Sequence, residues 1–170
     1  NTLLVECLSR DIVQLLQAIG EVAKKQGFNA FAVGGFVRDL LLKKTNLDLD
    51  VVVEGDGIDF SKALAVRLGG RFRTHERFKT AMVLMPNGFK IDIATARLEY
   101  YEYPAAMPTV ELSSIKLDLS RRDFTINAMA IHLNPEHFGT LIDFFNSQND
   151  LKQKTIKVMH NLSFVEDPSR

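Results

Sequence analysis

The sequence is short of cysteine, of net charge and of long apolar runs. Its one cysteine, Cys7, excludes an intramolecular disulfide framework and suits a reducing compartment, so a cytoplasmic setting is expected. Lys plus Arg total 21 and Asp plus Glu total 21, a formal charge of zero. That balance argues against a uniformly basic nucleic-acid glove and leaves room only for local patches. No apolar run approaches the roughly 20 residues of a membrane span, so no membrane partner is expected. The histidines His75, His132, His137 and His160 lack the spacing of an HExxH zinc motif. Internal repeats and low-complexity linkers are also missing.

What is present is an ordinary globular composition, 46% hydrophobic and 25% charged over 170 residues, enough for one good core. In residues 9–26 the apolar positions Ile12, Leu15, Leu16, Ile19, Val22 and Ala23 recur at helical spacing, with Ser9 to cap the start and Gly27 after the end. Ala30–Val33 reads as a buried strand running into Gly34-Gly35. A helix over Val37–Lys44, a strand over Leu47–Glu54 and a helix over Ile58–Leu68 follow. Thr80–Met85 and Phe89–Thr95 flank Pro86-Asn87-Gly88, a hairpin signal. Residues 97–113, with aromatics and prolines, read as a surface loop. A helix is expected to start near Arg122, and short strands at Ala130–Leu133 and Thr140–Asp143. Together these predict an α/β or α+β fold, a mixed sheet of about five strands with helices packed against it. The chain begins at Asn1 and stops at Arg170, and is expected to be a piece of a longer polypeptide.

Charge is segregated along the chain. Asp48, Asp50, Glu54, Asp56 and Asp59 fall in a stretch without a base, and Lys62, Arg67, Arg71, Arg73, Arg77 and Lys79 in the stretch after it. Solvated faces account for most of these residues. Asp48-Leu49-Asp50 is different. At a period of two, both carboxylates leave a strand on one face while Leu49 leaves on the other. Like charges there repel, and a divalent cation with hard oxygen ligands would remove the penalty; a solvated strand end is the alternative. Asp92, between Ile91 and Ile93, repeats the oddity. If its strand neighbours the first, three carboxylates converge, as at a two-metal phosphoryl-transfer site.

Gly34-Gly35 after a strand lets backbone N–H groups approach a phosphate, although it matches neither a Rossmann fingerprint nor a P-loop and is by itself an ordinary turn. The adjacent Arg121 and Arg122 can clamp a triphosphate with bidentate geometry, or stand exposed as a structural pair.

Taken in order, the blocks AVGGFVRDLLL (32–42), LDLDVVVEG (47–55), FKTAMV (78–83), IDIATARLEYY (91–101), DLSRRDFTINAMA (118–130) and SFVEDPSR (163–170) resemble the class II tRNA nucleotidyltransferase and bacterial poly(A) polymerase family. The resemblance runs from about residue 28 to the end. It implies a polymerase-β-like nucleotidyltransferase head over residues 28–160, preceded by an N-terminal helix segment (1–27) and followed by the start of a neck domain (161–170). It implies two Mg²⁺ ions on Asp48 and Asp50, with Asp92 as the third carboxylate, helping to activate an RNA 3′-hydroxyl. Gly34 and Gly35 would cradle the triphosphate and Arg38 would contact phosphate or the leaving pyrophosphate. Arg121 and Arg122 would bind the nucleotide, while Asp39 braces the loop. In the neck motif, Asp167 and Arg170 would read the incoming base along its Watson–Crick edge. The implied activity is template-independent transfer of CMP or AMP from CTP or ATP to an RNA 3′ end, tRNA being the expected acceptor. Poly(A) tailing, split CC- or A-only addition, and a non-catalytic nucleotide- or RNA-binding module are the rivals. Further domains of the same polypeptide are expected at both ends; the N-terminal helix resembles members whose head follows CBS and DHH-type modules, with an ordinary N-terminal packing helix as the alternative.

Overall fold

A computed structural model describes residues 2–44, 48–100, 109–112 and 114–159. Helix α1 (Thr2–Cys7) leads into α2 (Arg10–Gln26). The Ser9 side chain accepts from the Ile12 backbone N–H, and Gly27, at φ 73°, closes the helix in the left-handed conformation. The apolar stripe of α2 is buried, and Gly20 sits so close to the next layer that any side chain there would run into the Leu133 carbonyl oxygen.

The strands are β1 (Asn29–Val33), β2 (Leu49–Glu54), β3 (Arg71–His75), β4 (Thr80–Leu84), β5 (Lys90–Thr95), β6 (Arg97–Tyr100), β7 (Thr109–Leu112), β8 (Ala130–His132) and β9 (Leu141–Ile142). Among the described residues seven of them form one sheet in the order β3-β4-β5-β2-β1-β8-β9, and β6 and β7 pair separately. Only the central β2–β5 pair of the larger sheet is parallel. Alternation sorts the side chains. Leu49, Val51, Val53, Ile91 and Ile93 join the larger core, packed with residues of α2, α3 (Gly35–Leu41) and α4 (Gly57–Leu68). Burying each such aliphatic stabilises by roughly 1.5–3 kcal/mol. The opposite face carries a smaller core of Phe31, Val33, Val52 and Ala130 against Ile115 and Leu119 of α5 (Ile115–Ser120). That face is the one that presents Asp50, two residues before Val52 on β2.

The structure corrects several expectations. The sheet has seven strands rather than about five, because Arg71–His75 forms an edge strand whose residues are mostly exposed and so show no apolar alternation. Residues 97–113 are not simply a loop, since β6 and β7 pair antiparallel from Arg97↔Leu112 to Tyr100↔Thr109; Tyr101, Tyr103 and Pro104 lie outside the described residues. The helix expected near Arg122 lies earlier. Ser114 caps α5 by accepting from Leu117, and the helix ends at Ser120, leaving both arginines past its C-terminus. 3-10 turns at Thr125–Asn127 and Pro135–His137 and helix α6 (Ser147–Lys152) follow. The hairpin at 86–88 forms as read, with Gly88 at φ 88°.

Candidate active site

The parallel pairing of β2 and β5 sets Asp50 opposite Asp92. Register partners in a sheet project from the same face, about 4.8 Å apart at the backbone. Both are exposed, as is Asp48, while Leu49 between the first two carboxylates is buried. The Asp50 carboxyl is held above its usual range by burial and by the like charges of Asp92 and Asp48, against the opposing pull of Arg122 and Lys90. Lys90 itself lies 3.7 Å from Asp92. A bound cation relieves such like-charge crowding. Among the described residues no three His, Cys, Asp or Glu side chains form a group that could hold a metal. Magnesium, which keeps waters and takes one or two carboxylates together with substrate phosphates, requires no such cage, so this donor set fits it.

The second half of the site is built on the turn between β1 and α3. Gly34 adopts φ 72° and ψ −138°, a conformation open to glycine and costly for other residues, and a Cβ there would meet Arg122 Nη1 at 3.4 Å. Arg38, one turn into α3, donates from Nε to Asp39 Oδ1 at 3.0 Å and from Nη1 to Asn127 Oδ1 at 2.8 Å. Asn127 in turn donates to Asp123 Oδ1 at 3.3 Å. Arg121 and Arg122 share one acceptor, Asp118, whose side chain is 7% exposed; the contacts are 3.0 Å to Oδ1 and 3.4 Å to Oδ2. The Nε of Arg122 is buried without a hydrogen-bond partner among the described residues, an unsatisfied donor of the kind an anion would satisfy.

Two clefts meet here. One, of about 520 Å³, is lined by Gly34, Gly35, Arg38, Asp50, Arg121 and Arg122 with Asp123 and Asn127. The other, of about 370 Å³, holds Asp50, Asp92 and Arg122 together with Arg73, His75, Thr80 and Met82. The first cleft brings Gly34 and Gly35 together with three arginines, Arg38, Arg121 and Arg122. Two exposed carboxylates stand where the two clefts join or beside that junction.

Residues 30–157 match the family model described as the poly A polymerase head domain. The chain belongs to this family. The chain is 56% identical over 163 residues to an A-adding tRNA nucleotidyltransferase of Geobacter sulfurreducens, covering 96% of this chain and 18% of that protein. An A-adding tRNA nucleotidyltransferase of Halalkalibacterium halodurans is 47% identical, with 96% of this chain and 38% of the relative covered. The chain also superposes on the solved Thermotoga maritima CCA-adding enzyme complexed with tRNA, with a TM-score of 0.88 and 47% identity over 99% of this chain and 38% of that one. The chain thus spans well under half the length of these relatives.

Of the residues singled out in the sequence, Gly34, Gly35, Arg38, Asp50, Arg121 and Arg122 line one cleft of the head, and Asp92 joins Asp50 in the other. Asp48 directly precedes β2 and lines neither. Asp167 and Arg170 lie outside the described residues. The sequence reading passed over Asp118 and Asn127, which fix the directions of three arginines. Their signal was available, since Asp118 stands three and four residues before the arginines, the spacing that brings side chains together along one helical face.

Proposed function

We propose that the head transfers a nucleotide from ATP or CTP to the 3′-hydroxyl of tRNA, without a template and with release of pyrophosphate. The observation that carries this reading is that Asp50 and Arg122 line both clefts, so carboxylates and phosphate-binding arginines address one point between them. The names of the relatives support it, since two of them are A-adding tRNA nucleotidyltransferases and the third was solved in complex with tRNA.

Asp48 and Asp50 would hold two Mg²⁺ ions, which when bound neutralise phosphate charge and clamp the attacking and leaving oxygens. Gly34 and Gly35 turn backbone N–H groups toward the triphosphate. Arg38, braced by Asp39 and Asn127, and Arg121 and Arg122, braced by Asp118, hold its charge in fixed directions, so little reorganisation is needed as the pyrophosphate departs. The 3′-oxygen forms its bond to the α-phosphorus as the bond to the bridging oxygen breaks. Asp92 receives the hydroxyl proton. Base selection falls to Asp167 and Arg170, in a neck beginning at 161 beyond a head spanning 28–160, with residues 1–27 as an N-terminal segment. The working compartment is the cytoplasm, in keeping with a single cysteine.

The test is Mg²⁺-dependent incorporation of labelled CTP and ATP into tRNA lacking its 3′ CCA, by the complete polypeptide and by its Asp48→Ala, Asp50→Ala double variant. CTP before ATP, stopping at three additions and lost in the variant, is the signature of CCA addition. A second reading, addition of a single A to a CC end, is favoured by the A-adding names of both curated relatives. A long A run would mark poly(A) synthesis, and no incorporation would overturn the proposal.

A further inference from the structure

The sheet register carries the carboxylate face across five strands in one row. Arg73 of β3 pairs with Met82, Met82 with Asp92, Asp92 with Asp50 and Asp50 with Val33. Partners in a row share a face, so Arg73 stands on the carboxylate side of the sheet, two strand spacings (about 10 Å) beyond Asp92. In the next row on that face His75 pairs with Thr80 and Thr80 with Ala94. Arg73, His75, Thr80 and Met82 form the outer wall of the 370 Å³ cleft whose inner wall is Asp50, Asp92 and Arg122. Arg73 is exposed and, among the described residues, engages no carboxylate. Its neighbour on this face, Lys90, is already set against Asp92. Guarding a sheet edge against pairing would explain a charge on β3, but would not require it to line a cleft with two acids.

In-line phosphoryl transfer places the attacking and leaving oxygens on opposite sides of the phosphorus. With the departing pyrophosphate against Gly34, Arg38 and Arg121, the attacking hydroxyl enters through the other cleft. The RNA strand that brings this hydroxyl carries a phosphodiester behind it, which must approach Asp92 and Asp50 against like charge. A cation on the far wall offsets that repulsion and fixes the strand's position, and a guanidinium binds phosphate in bidentate geometry.

We infer that the cleft between β3 and the carboxylates is the acceptor-strand subsite, with Arg73 binding the phosphodiester that precedes the acceptor's 3′-terminal nucleoside. The inference rests on the nucleotidyltransferase reading given above. Met82 supplies an apolar floor between the cation and the acids, and His75 a second polar group along the same wall.

The test measures binding and needs no turnover. A fluorescently labelled tRNA ending in CC is titrated with the complete polypeptide, without nucleotide, at several salt concentrations, using wild type, Arg73→Ala and Arg73→Lys. The RNA is prepared in two forms, one with an ordinary last phosphodiester and one with an uncharged methylphosphonate there. Arg73→Ala is expected to weaken binding three- to tenfold and to lower the slope of log affinity against log salt by about one contact. Arg73→Lys should keep the slope, and the melting temperature should not move. The methylphosphonate should weaken wild type to a similar degree and leave Arg73→Ala binding no weaker than before. An equal methylphosphonate penalty in both proteins, or unchanged affinity in Arg73→Ala, would overturn the inference. Nucleotide incorporation by wild type, run in parallel, separates the two claims: coupling without incorporation removes the activity and keeps the RNA subsite, and incorporation without coupling removes only the subsite.

Discussion

Asp50 and Asp92 face each other across what is, among the described residues, the only parallel strand pair of the seven-stranded sheet. Chains optimised for stability alone avoid such a pair, because like charges directly opposite in a ladder are destabilising by up to about 1 kcal/mol. Burial first, and then the like charge of Asp92, lifts the Asp50 carboxyl above its usual range. Asp50→Asn is therefore expected to leave thermal stability unchanged or raise it by a few tenths of a kcal/mol, while nucleotide incorporation falls by at least about a thousandfold. Added Mg²⁺ should raise the melting temperature of wild type and not of the variant, because only an ion that binds the native state stabilises it. Melting curves with and without Mg²⁺, beside an incorporation assay, check both halves. A variant that is less stable and still active would show that the pair is structural.

Asp118 invites a different expectation. Its buried carboxylate is the acceptor common to Arg121 and Arg122, so Asp118→Ala removes the acceptor that these two partly exposed guanidinium groups share. The loss should be about 1–3 kcal/mol, below that of a fully buried pair because water reaches the arginines. Nucleotide KM should rise with it, since the arginines lose their fixed directions. Asp118→Asn retains one acceptor oxygen and should fall between wild type and alanine on both readouts. Urea denaturation and steady-state kinetics on the three proteins would show the order.

Much of this site was legible because its chemistry conflicts with its local structure. Asp48, Asp50 and Asp92 sit in or beside β-branched runs where acids are disfavoured, and Gly34-Gly35 interrupts the chain directly after a buried strand. The sequence could state the convergence of the carboxylates only as a condition, because strand neighbours are a matter of topology. β2 and β5 are separated by a helix, a hairpin and 35 residues, and nothing local says that they pair. Strand β3 escaped notice for a different reason. Edge residues exposed on both faces carry no hydrophobic alternation, so Arg71 and Arg73 read as part of a solvated basic run. The arginine block was misread as a helix start because the helical signal ends just before it. Arg121 is the cap residue after Ser120, and the arginines gain their placement from Asp118 and the Gly34 turn rather than from their own backbone.

The Gly34 turn gives a third test. At φ 72° and ψ −138° a Cβ is strained by backbone conformation, whereas the space beside it is nearly adequate, with Arg122 Nη1 at 3.4 Å. Gly34→Ala should then cost about 1–3 kcal/mol through conformation alone. Its effect on nucleotide KM should be larger than stability explains, because the relaxed turn would redirect the backbone N–H groups and press on the same guanidinium. Chemical denaturation with parallel nucleotide titration separates the two effects. An alanine variant as stable as wild type would mean that the turn has another conformation available.

Away from the cleft, His132 stacks between Phe31, with centroids 4.7 Å apart, and His137, at 5.2 Å. Its Nε2 is buried without a partner among the described residues. Burial, with a further push from His137, holds its pKa below the ordinary value, while Glu54 and Glu136 pull the other way. The sign follows from proton counting. Between the lowered folded value and the unfolded value of about 6.5, the unfolded chain binds more protons, so stability rises with pH through that window and is lost on acidification. His132→Phe keeps an aromatic ring in the stack and removes the titration. The wild-type melting temperature should therefore fall more steeply than that of the variant between about pH 7.5 and about pH 5.5. Parallel slopes would assign the acid sensitivity to other groups, and a variant destabilised at every pH would show that the imidazole packs in a way phenylalanine cannot copy.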